Sequence, residues 1–206
     1  MRIGIDFDNT IACYDLVFHR VALERGLIPA EVSVAKDEVR DYLRGCDKED
    51  AWTKLQGYVY GVCIQNVSPF PGVLEFLARC KQQGSAIYII SHKTRYTLLG
   101  PRYDLHQAAY EWLANHNFCD PARTGLTPRQ LYFELTKQGK LERVAQVGCT
   151  HFIDDLPEFL AEPDFPTNVE RILFDPNNQH TTGQSFQRAI SWQEIETITF
   201  GKISPP

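Results

Sequence analysis

The amino-acid sequence predicts an α/β protein with a parallel sheet, helices on both sheet faces, and a helical segment inserted after the first strand. Three observations support this. Short apolar runs alternate with amphipathic helical stretches, a pattern typical of parallel strands joined by crossover helices. The run at 86–90 (AIYII) is continuously apolar, as in a strand buried on both faces. Residues from about 14 to 67 show only helical spacing, too long for a simple crossover.

The first strand is expected at 2–5, where a short apolar run ends at Asp6. Helices are then expected at 16–25, 38–43 and 50–60. The turn at 68–72 (SPFPG) closes this helical stretch. We therefore expect residues 14–67 to form an inserted cap, and residues 1–13 together with 68–206 to form the α/β core.

Strands and helices alternate through the rest of the chain. The segment at 131–135 (LYFEL) is interpreted as a strand, with a helix as the alternative. The other expected elements are helices at 73–83, 105–115, 139–146 and 192–197, strands at 86–90, 151–153 and 171–174, and a loop at 176–183. This alternation is what a doubly wound sheet requires.

Composition excludes some classes of function. The chain has 206 residues, 43% hydrophobic and 23% charged, with a net charge of −5. A bulk nucleic-acid or membrane binder would favour a basic face, so neither partner is expected. The six cysteines form no CxxC pair, and no apolar run approaches the ~20 residues that a bilayer span needs, so we expect neither a signal peptide nor a membrane span. We expect a cytoplasmic protein whose thiols are mostly buried.

Polar side chains follow three of the predicted strands. Asp6 ends the first strand, Ser91 follows the strand at 86–90, and Asp154 follows the strand at 151–153. Ligands of open parallel sheets bind at the carboxyl ends of the strands. We therefore expect these side chains to face one crevice.

Two further carboxylates extend this set: Asp8 lies two residues after Asp6, and Asp155 directly follows Asp154. Three or four carboxylates at one place cannot all ionise without a cation. Mg²⁺ prefers oxygen ligands and often shares them with a substrate phosphate. The pattern therefore predicts a Mg²⁺ site, and the Mg²⁺ site predicts a phosphorylated substrate.

These motifs resemble those of the haloacid dehalogenase-like (HAD) hydrolase superfamily. Its Asp-x-Asp-x-Thr motif is matched by 6–10 (DFDNT), its Ser after a hydrophobic strand by Ser91, and its acidic pair by Asp154 and Asp155. The segment FIDDLPE and the later Asn-Gln-His at 178–180 resemble the 5′(3′)-deoxyribonucleotidase branch. The resemblance implies a Rossmann-like, doubly wound parallel sheet with a small helical cap between the first two motifs.

The resemblance also implies roles for these residues. Asp6 would be the nucleophile that forms an aspartyl-phosphate, and Asp8 the general acid and then base. Mg²⁺ would be held by Asp6, the backbone carbonyl of Asp8, and Asp154, with Asp155 as a further ligand or its support. The phosphate would be bound by residues from three motifs: Thr10, Ser91, His92 and a lysine.

That lysine is assigned to Lys140, which lies near the first turn of the helix that leads into the strand at 151–153. Lys137 is the alternative. The ammonium group would pair with Asp6 and the phosphate. Without the resemblance, either lysine would be interpreted as a solvated surface charge.

Substrate selection is assigned to the basic loop after Ser91, which contains Lys93 and Arg95. An ordinary polar surface loop is the alternative. The cap aromatics Trp52, Tyr58 and Tyr60 can stack on a base, but aromatics at helical spacing more often form a core.

The sequence thus predicts a Mg²⁺-dependent phosphomonoester hydrolase, monomeric or homodimeric, acting on a nucleotide or sugar phosphate. A phosphotransferase or mutase on the same fold is one alternative. A non-catalytic binding module is the other, since fold does not fix function.

Overall fold

The structure is a computed structural model that describes residues 1–181 and 185–201. The chain forms two compact units. The first consists of Met1–Ile11, Pro69–His92 and Asn117–Pro206, and the second of Ala12–Ser68 and Lys93–His116. The second unit thus contains Lys93–His116 in addition to the segment that the sequence assigned to a cap. The end of the predicted loop at 176–183 and the core residues 202–206 lie outside the described residues.

Eight strands are present in the described chain: β1 (Arg2–Ile5), β2 (Ala12–Cys13), β3 (Ser68–Pro69), β4 (Ala86–His92), β5 (Leu131–Glu134), β6 (His151–Asp154), β7 (Glu170–Phe174) and β8 (Gln187–Ala189). Six of them form one sheet in the order β5-β4-β1-β6-β7-β8. Every ladder of this sheet is parallel. The predicted α/β class and parallel sheet are therefore confirmed, and β5 is a strand rather than a helix.

The described chain also has eight helices: α1 (Asp15–Glu24), α2 (Lys36–Gly45), α3 (Glu49–Gly61), α4 (Val73–Gln82), α5 (Leu105–Asn115), α6 (Lys137–Gln146), α7 (Pro157–Leu160) and α8 (Trp192–Phe200). Short 3₁₀ turns occupy Cys63–Asn66 and Pro128–Gln130. The sequence did not predict α7 or β8. The first is a single turn, and the second is a three-residue edge strand too short for a period-two pattern.

Side chains alternate between the two faces of the sheet, and each face is covered by helices. Leu173 of β7 belongs to a buried cluster that includes Val144 of α6 and Leu160 of α7. The next residue, Phe174, packs on Trp192 of α8 with ring centroids 5.6 Å apart. The sheet is therefore doubly wound, as predicted.

Helices α1, α2, α3 and α5 belong to the second unit, which has its own aromatic core. The ring of Phe18 lies 5.1 Å from Trp52 and 5.5 Å from Tyr60, centroid to centroid. The indole N–H of Trp112 on α5 donates to the Val67 carbonyl at 2.9 Å. This bond ties the segment after position 93 to the segment before position 68.

All six cysteines lie in the described chain and are free thiols. Burial raises the pKa of both Cys80 and Cys149 to about 12, so these thiols stay protonated at neutral pH. In residues 1–181 and 185–201, no helix is long and apolar enough to span a bilayer.

Candidate active site

Two buried carboxylates lie side by side at the carboxyl ends of the central strands. Asp6 directly follows β1, and Asp154 ends β6, the neighbouring strand. The Asp6 N–H donates to the Ile153 carbonyl at 2.9 Å, which extends the ladder to the site. Asp6 is 5% exposed and Asp154 is fully buried. The parallel register thus brings together two acids that are far apart in the sequence.

Lys140 bridges these two carboxylates. Its Nζ lies 2.6 Å from Asp6 Oδ1 and 2.6 Å from Asp154 Oδ2, and the side chain is buried. Helix α6 delivers it: the Thr136 hydroxyl caps the helix by accepting from the Gly139 N–H at 2.9 Å. The structure therefore places Lys140 in the site, while Lys137 is exposed.

Burial and charge act in opposite directions on this lysine. Burial alone would lower the pKa of the ammonium group, but Asp154 and Asp6 more than offset it, so the pKa lies above its usual value. The ring centroid of Phe159 lies 4.2 Å from Nζ and adds a cation–π contact. Lys140 is therefore a permanent positive charge at this position.

Asp154 is the carboxylate most affected by burial. Burial raises its pKa to about 7, the nearby Asp6 acts in the same direction, and Lys140 opposes both. The Leu156 N–H donates to Asp154 Oδ1 at 3.0 Å and orients the group. A carboxylate that is costly to ionise in a dry site favours a bound cation.

A third carboxylate completes the group. Asp6, Asp154 and Asp155 each offer an oxygen, and these atoms lie within 4.8 Å of one another. The buried Thr10 hydroxyl donates to Asp155 Oδ1 at 3.3 Å. An all-oxygen donor set of this kind suits a hard divalent cation such as Mg²⁺. The Asp8 carboxylate is not a member; that residue is half-buried.

The remaining predicted residues fall into two places. Ser91 is buried in β4 at a register position opposite Phe133, and His92 is the last residue of that strand. Desolvation, together with the positive charges of Lys140 and Lys137, lowers the pKa of His92. Both side chains therefore belong to the same unit as the aspartates.

The two predicted substrate residues lie in the second unit. Lys93 is 4% exposed, with its Nζ 4.4 Å from the ring centroid of Tyr60. Arg95 forms an ion pair with Asp104 at 3.2 Å and is exposed. Their assignment to substrate selection stays a prediction.

The similarity to known proteins lies in the fold. No family model and no curated protein matches the chain. Among solved structures, a haloacid dehalogenase-like protein of unknown function from Agrobacterium tumefaciens is 14% identical, with a TM-score of 0.57 and 96% of each chain covered. A haloacid dehalogenase-like family hydrolase from Xanthomonas campestris is 10% identical, with a TM-score of 0.55, covering 97% of this chain and 94% of its own.

A third structure, a HAD family hydrolase from Deinococcus radiodurans with bound phosphate and sodium, is 15% identical, with a TM-score of 0.55, and covers 96% of this chain and 94% of its own. The chain has the haloacid dehalogenase-like fold. The fold that the motif resemblance implied is thereby confirmed. Activity and substrate do not follow from identities this low.

The site contains contacts that sequence reasoning missed. The second partner of Lys140, Asp154, was not predicted, nor was the bond from Thr10 to Asp155. The N–H of Leu156 was also missed, although an Asp whose side chain accepts from the N–H two residues later is a known turn pattern. In each case the spacing places the group near the carboxyl ends of the strands but does not show which partner it contacts.

The Asn-Gln-His segment at 178–180 lies in the same unit of this HAD-like chain, in the loop that follows β7. The Asp175 carboxylate accepts from the N–H groups of Gln179 and His180, each at 2.9 Å. Burial opposes the charge on Asp175, but these bonds and Arg188 lower its pKa below the usual value. The segment is thus a loop closed around a buried acid.

Proposed function

We propose that this protein is a Mg²⁺-dependent phosphomonoester hydrolase that acts on a small phosphorylated metabolite through an aspartyl-phosphate. The observation that carries the proposal is the position of Lys140, held at 2.6 Å between Asp6 and Asp154 with Asp155 nearby. A purely structural ion pair would need one carboxylate. Three carboxylates and one buried ammonium group form a site built to receive both a cation and a dianion.

Asp6 is the nucleophile in this proposal. The Lys140 ammonium group donates to its carboxylate at 2.6 Å and holds the side chain in place, although the residue is only 5% exposed. An oxygen of Asp6 attacks phosphorus, the bond to the substrate's alkoxide oxygen breaks, and water later releases phosphate from the acyl phosphate. The hydrolysis is thereby divided into two displacements at phosphorus, the first by Asp6 and the second by water, and the same residues can serve both.

Asp8 donates the proton to the leaving alkoxide and then removes one from the attacking water. Its half-buried position, unlike that of Asp6, leaves it able to exchange protons with solvent. Asp8 also sits beside a tight turn in which Asn9 adopts a left-handed conformation with φ of 58°. Two carboxylates one residue apart therefore perform different tasks.

Asp6, Asp154 and Asp155 would hold Mg²⁺, together with the Asp8 carbonyl that the family resemblance implies. When bound, Mg²⁺ neutralises phosphate charge so that an anionic nucleophile can approach. Thr10 orients Asp155 through the 3.3 Å bond. Lys140 and the Ser91 hydroxyl donate to the phosphoryl oxygens and hold the group for attack.

The test is a phosphate-release screen over nucleoside monophosphates and sugar phosphates with Mg²⁺. We expect release that is abolished by Asp6→Asn and by a chelator, and retained by the exposed control Asp164→Asn. Trapped acyl phosphate in Asp8→Asn would identify the intermediate. Phosphate release that survives Asp6→Asn would contradict the assignment of Asp6 as the nucleophile. If the folded protein neither binds Mg²⁺ nor releases phosphate, the catalytic proposal is wrong and the non-catalytic binding module is the better interpretation.

Phosphate that appears on an added sugar rather than in solution would instead identify a phosphotransferase. The catalytic groups serve both reactions, so only the acceptor differs. Product analysis with and without sugars therefore belongs in the same screen.

A further inference from the structure

Two aromatic rings lie against the Lys140 ammonium group. The ring centroid of Phe159 lies 4.2 Å from Lys140 Nζ, and that of Phe152 lies 5.6 Å from it. The two centroids are 5.8 Å apart, and both phenylalanines are buried. These two rings are here called the aromatic slot. Because Lys140 is only 2% exposed, its charge lies between the slot and the carboxylates rather than in water.

The backbone of β1 makes room for one ring of the slot. Gly4 of β1 and Phe152 of β6 are register partners on neighbouring strands. A Cβ atom added at Gly4 would lie 2.5 Å from Phe152 Cδ2, so a larger residue there would displace the ring. Side chains alternate along a strand, so Phe152 points to the same face of the sheet as Asp154, two residues later. The ring thus lies directly before the strand end that carries the acid.

The second ring comes from the short helix that follows the acidic pair. The Leu156 N–H donates to Asp154 Oδ1 at 3.0 Å, and the Phe159 N–H donates to the Leu156 carbonyl at 3.1 Å. One short segment of the chain therefore both orients a carboxylate of the site and brings a ring to the lysine.

The slot acts on a charge with two competing partners. The Lys140 nitrogen lies 2.6 Å from an oxygen of Asp6 and 2.6 Å from an oxygen of Asp154. An ammonium group on a flexible four-carbon stem can shift toward either acid. The negative face of an aromatic ring attracts a cation, and more strongly where water is excluded. The rings add this attraction and keep solvent away from the nitrogen, which favours a fixed position between the acids.

A neighbouring phenylalanine shows what a ring with a structural role alone looks like. Phe165 packs on Phe159 and Phe152, with centroids 5.7 Å and 5.9 Å away, and is also buried. It too faces a cation, since Arg171 Cζ lies 5.1 Å from its centroid. Arg171 donates to the Leu160 carbonyl at 2.7 Å and pairs with no carboxylate among the described residues. Phe165 is therefore a matched control in the same cluster.

We propose that Phe159 is a positioning residue for Lys140 and, through it, for the nucleophile Asp6. The ring holds the ammonium group between the two carboxylates, so that Asp6 keeps the orientation it needs for attack. Phe159 acts through the lysine rather than on the substrate. The kinetic consequence rests on the proposed hydrolase function, whereas the position of the ammonium group is measurable without any substrate.

The kinetic test replaces Phe159 with phenylalanines that carry one, two or three ring fluorines. These nearly keep the shape of the ring but progressively withdraw negative charge from its face. We expect kcat for phosphate release to fall with each added fluorine, and by ~5- to 30-fold in Phe159→Leu. KM should change by less than ~2-fold, because orientation rather than substrate binding is lost. The same series at Phe165 should change the melting temperature at most, and not kcat.

The second test measures the lysine itself by ¹⁵N NMR of the full chain with chelator. The Lys140 ammonium protons should exchange with water slowly in the wild type and at least ~10-fold faster in Phe159→Leu. Phe165→Leu should leave this exchange rate unchanged. If Phe159→Leu does not fold, the trifluorinated variant takes its place, since its ring still fills the cluster.

A kcat that stays constant across the fluorine series at Phe159 would overturn the proposal, and so would an equal decline in the series at Phe165. A wild-type protein that releases no phosphate would contradict the proposed function instead. The exchange rate of the ammonium protons then decides the positioning role, and a rate that Phe159→Leu leaves unchanged would overturn it.

Discussion

Replacing Lys140 with methionine tests the electrostatics of the site without depending on any substrate. The methionine side chain has a similar length and can pack on Phe159, so little packing is lost. The positive charge is lost, and Asp6 and Asp154, 5% and 0% exposed, are left facing each other. Removing one partner of a buried ion pair costs ~3–5 kcal/mol. For a domain of this size that lowers the melting temperature by ~6–20 °C.

The assay is thermal unfolding with chelator and with Mg²⁺, at a pH above about 7 so that Asp154 is ionised. The matched control is Lys137→Met on the same helix, which is exposed and should change stability by less than ~0.5 kcal/mol. Mg²⁺ should restore part of the loss in Lys140→Met, because a cation on the same carboxylates replaces the missing charge. A loss below ~1 kcal/mol in chelator would refute the reasoning, since the carboxylates would then not need the lysine.

Four further predictions concern the same site. Since burial raises the pKa of Asp154 from 3.8 to about 7, folding takes up a proton, and the chelated protein should lose stability as pH rises through that interval. Mg²⁺ needs the ionised form, so calorimetry should show affinity falling about tenfold per pH unit below about 7. Thr10→Val removes the bond to Asp155 and should weaken Mg²⁺ binding by ~10-fold or more in the same titration, whereas Thr10→Ser should not. Thr136→Ala removes the α6 cap and should cost ~1 kcal/mol in chemical denaturation, with Thr136→Ser close to wild type.

The location of the site was predictable because the sequence marks the ends of its strands by apolar runs that stop at an acidic residue. An apolar run that stops at Asp6, and another that stops at Asp154, place both acids at one sheet edge once the strands are parallel. The contact of Lys140 with Asp6 was expected, but its second contact, with Asp154, was not, since spacing limits which groups can meet but not which rotamers they adopt. The two carboxylates compete for one ammonium group, and only three-dimensional distances show that it serves both.

The sequence also could not show to which unit α5 belongs, because helical spacing does not identify the partner of a buried helix face. Its helical spacing shows that one face, including Trp112, is buried. Amphipathicity does not show what covers that face. The partner proved to be the helical segment before position 68, through the indole bond to Val67 and the contact of Tyr103 with Gly61.

This division has a consequence for protein engineering. The second unit is made of two separate stretches, Ala12–Ser68 and Lys93–His116. A chimera that exchanges only the first stretch would leave the buried face of α5 without its matching surface, and the Trp112 indole N–H would keep its acceptor only if the new backbone placed a carbonyl where that of Val67 lies. Transplanting the unit into another scaffold therefore requires four splice points, and grafts that respect only two should give insoluble protein.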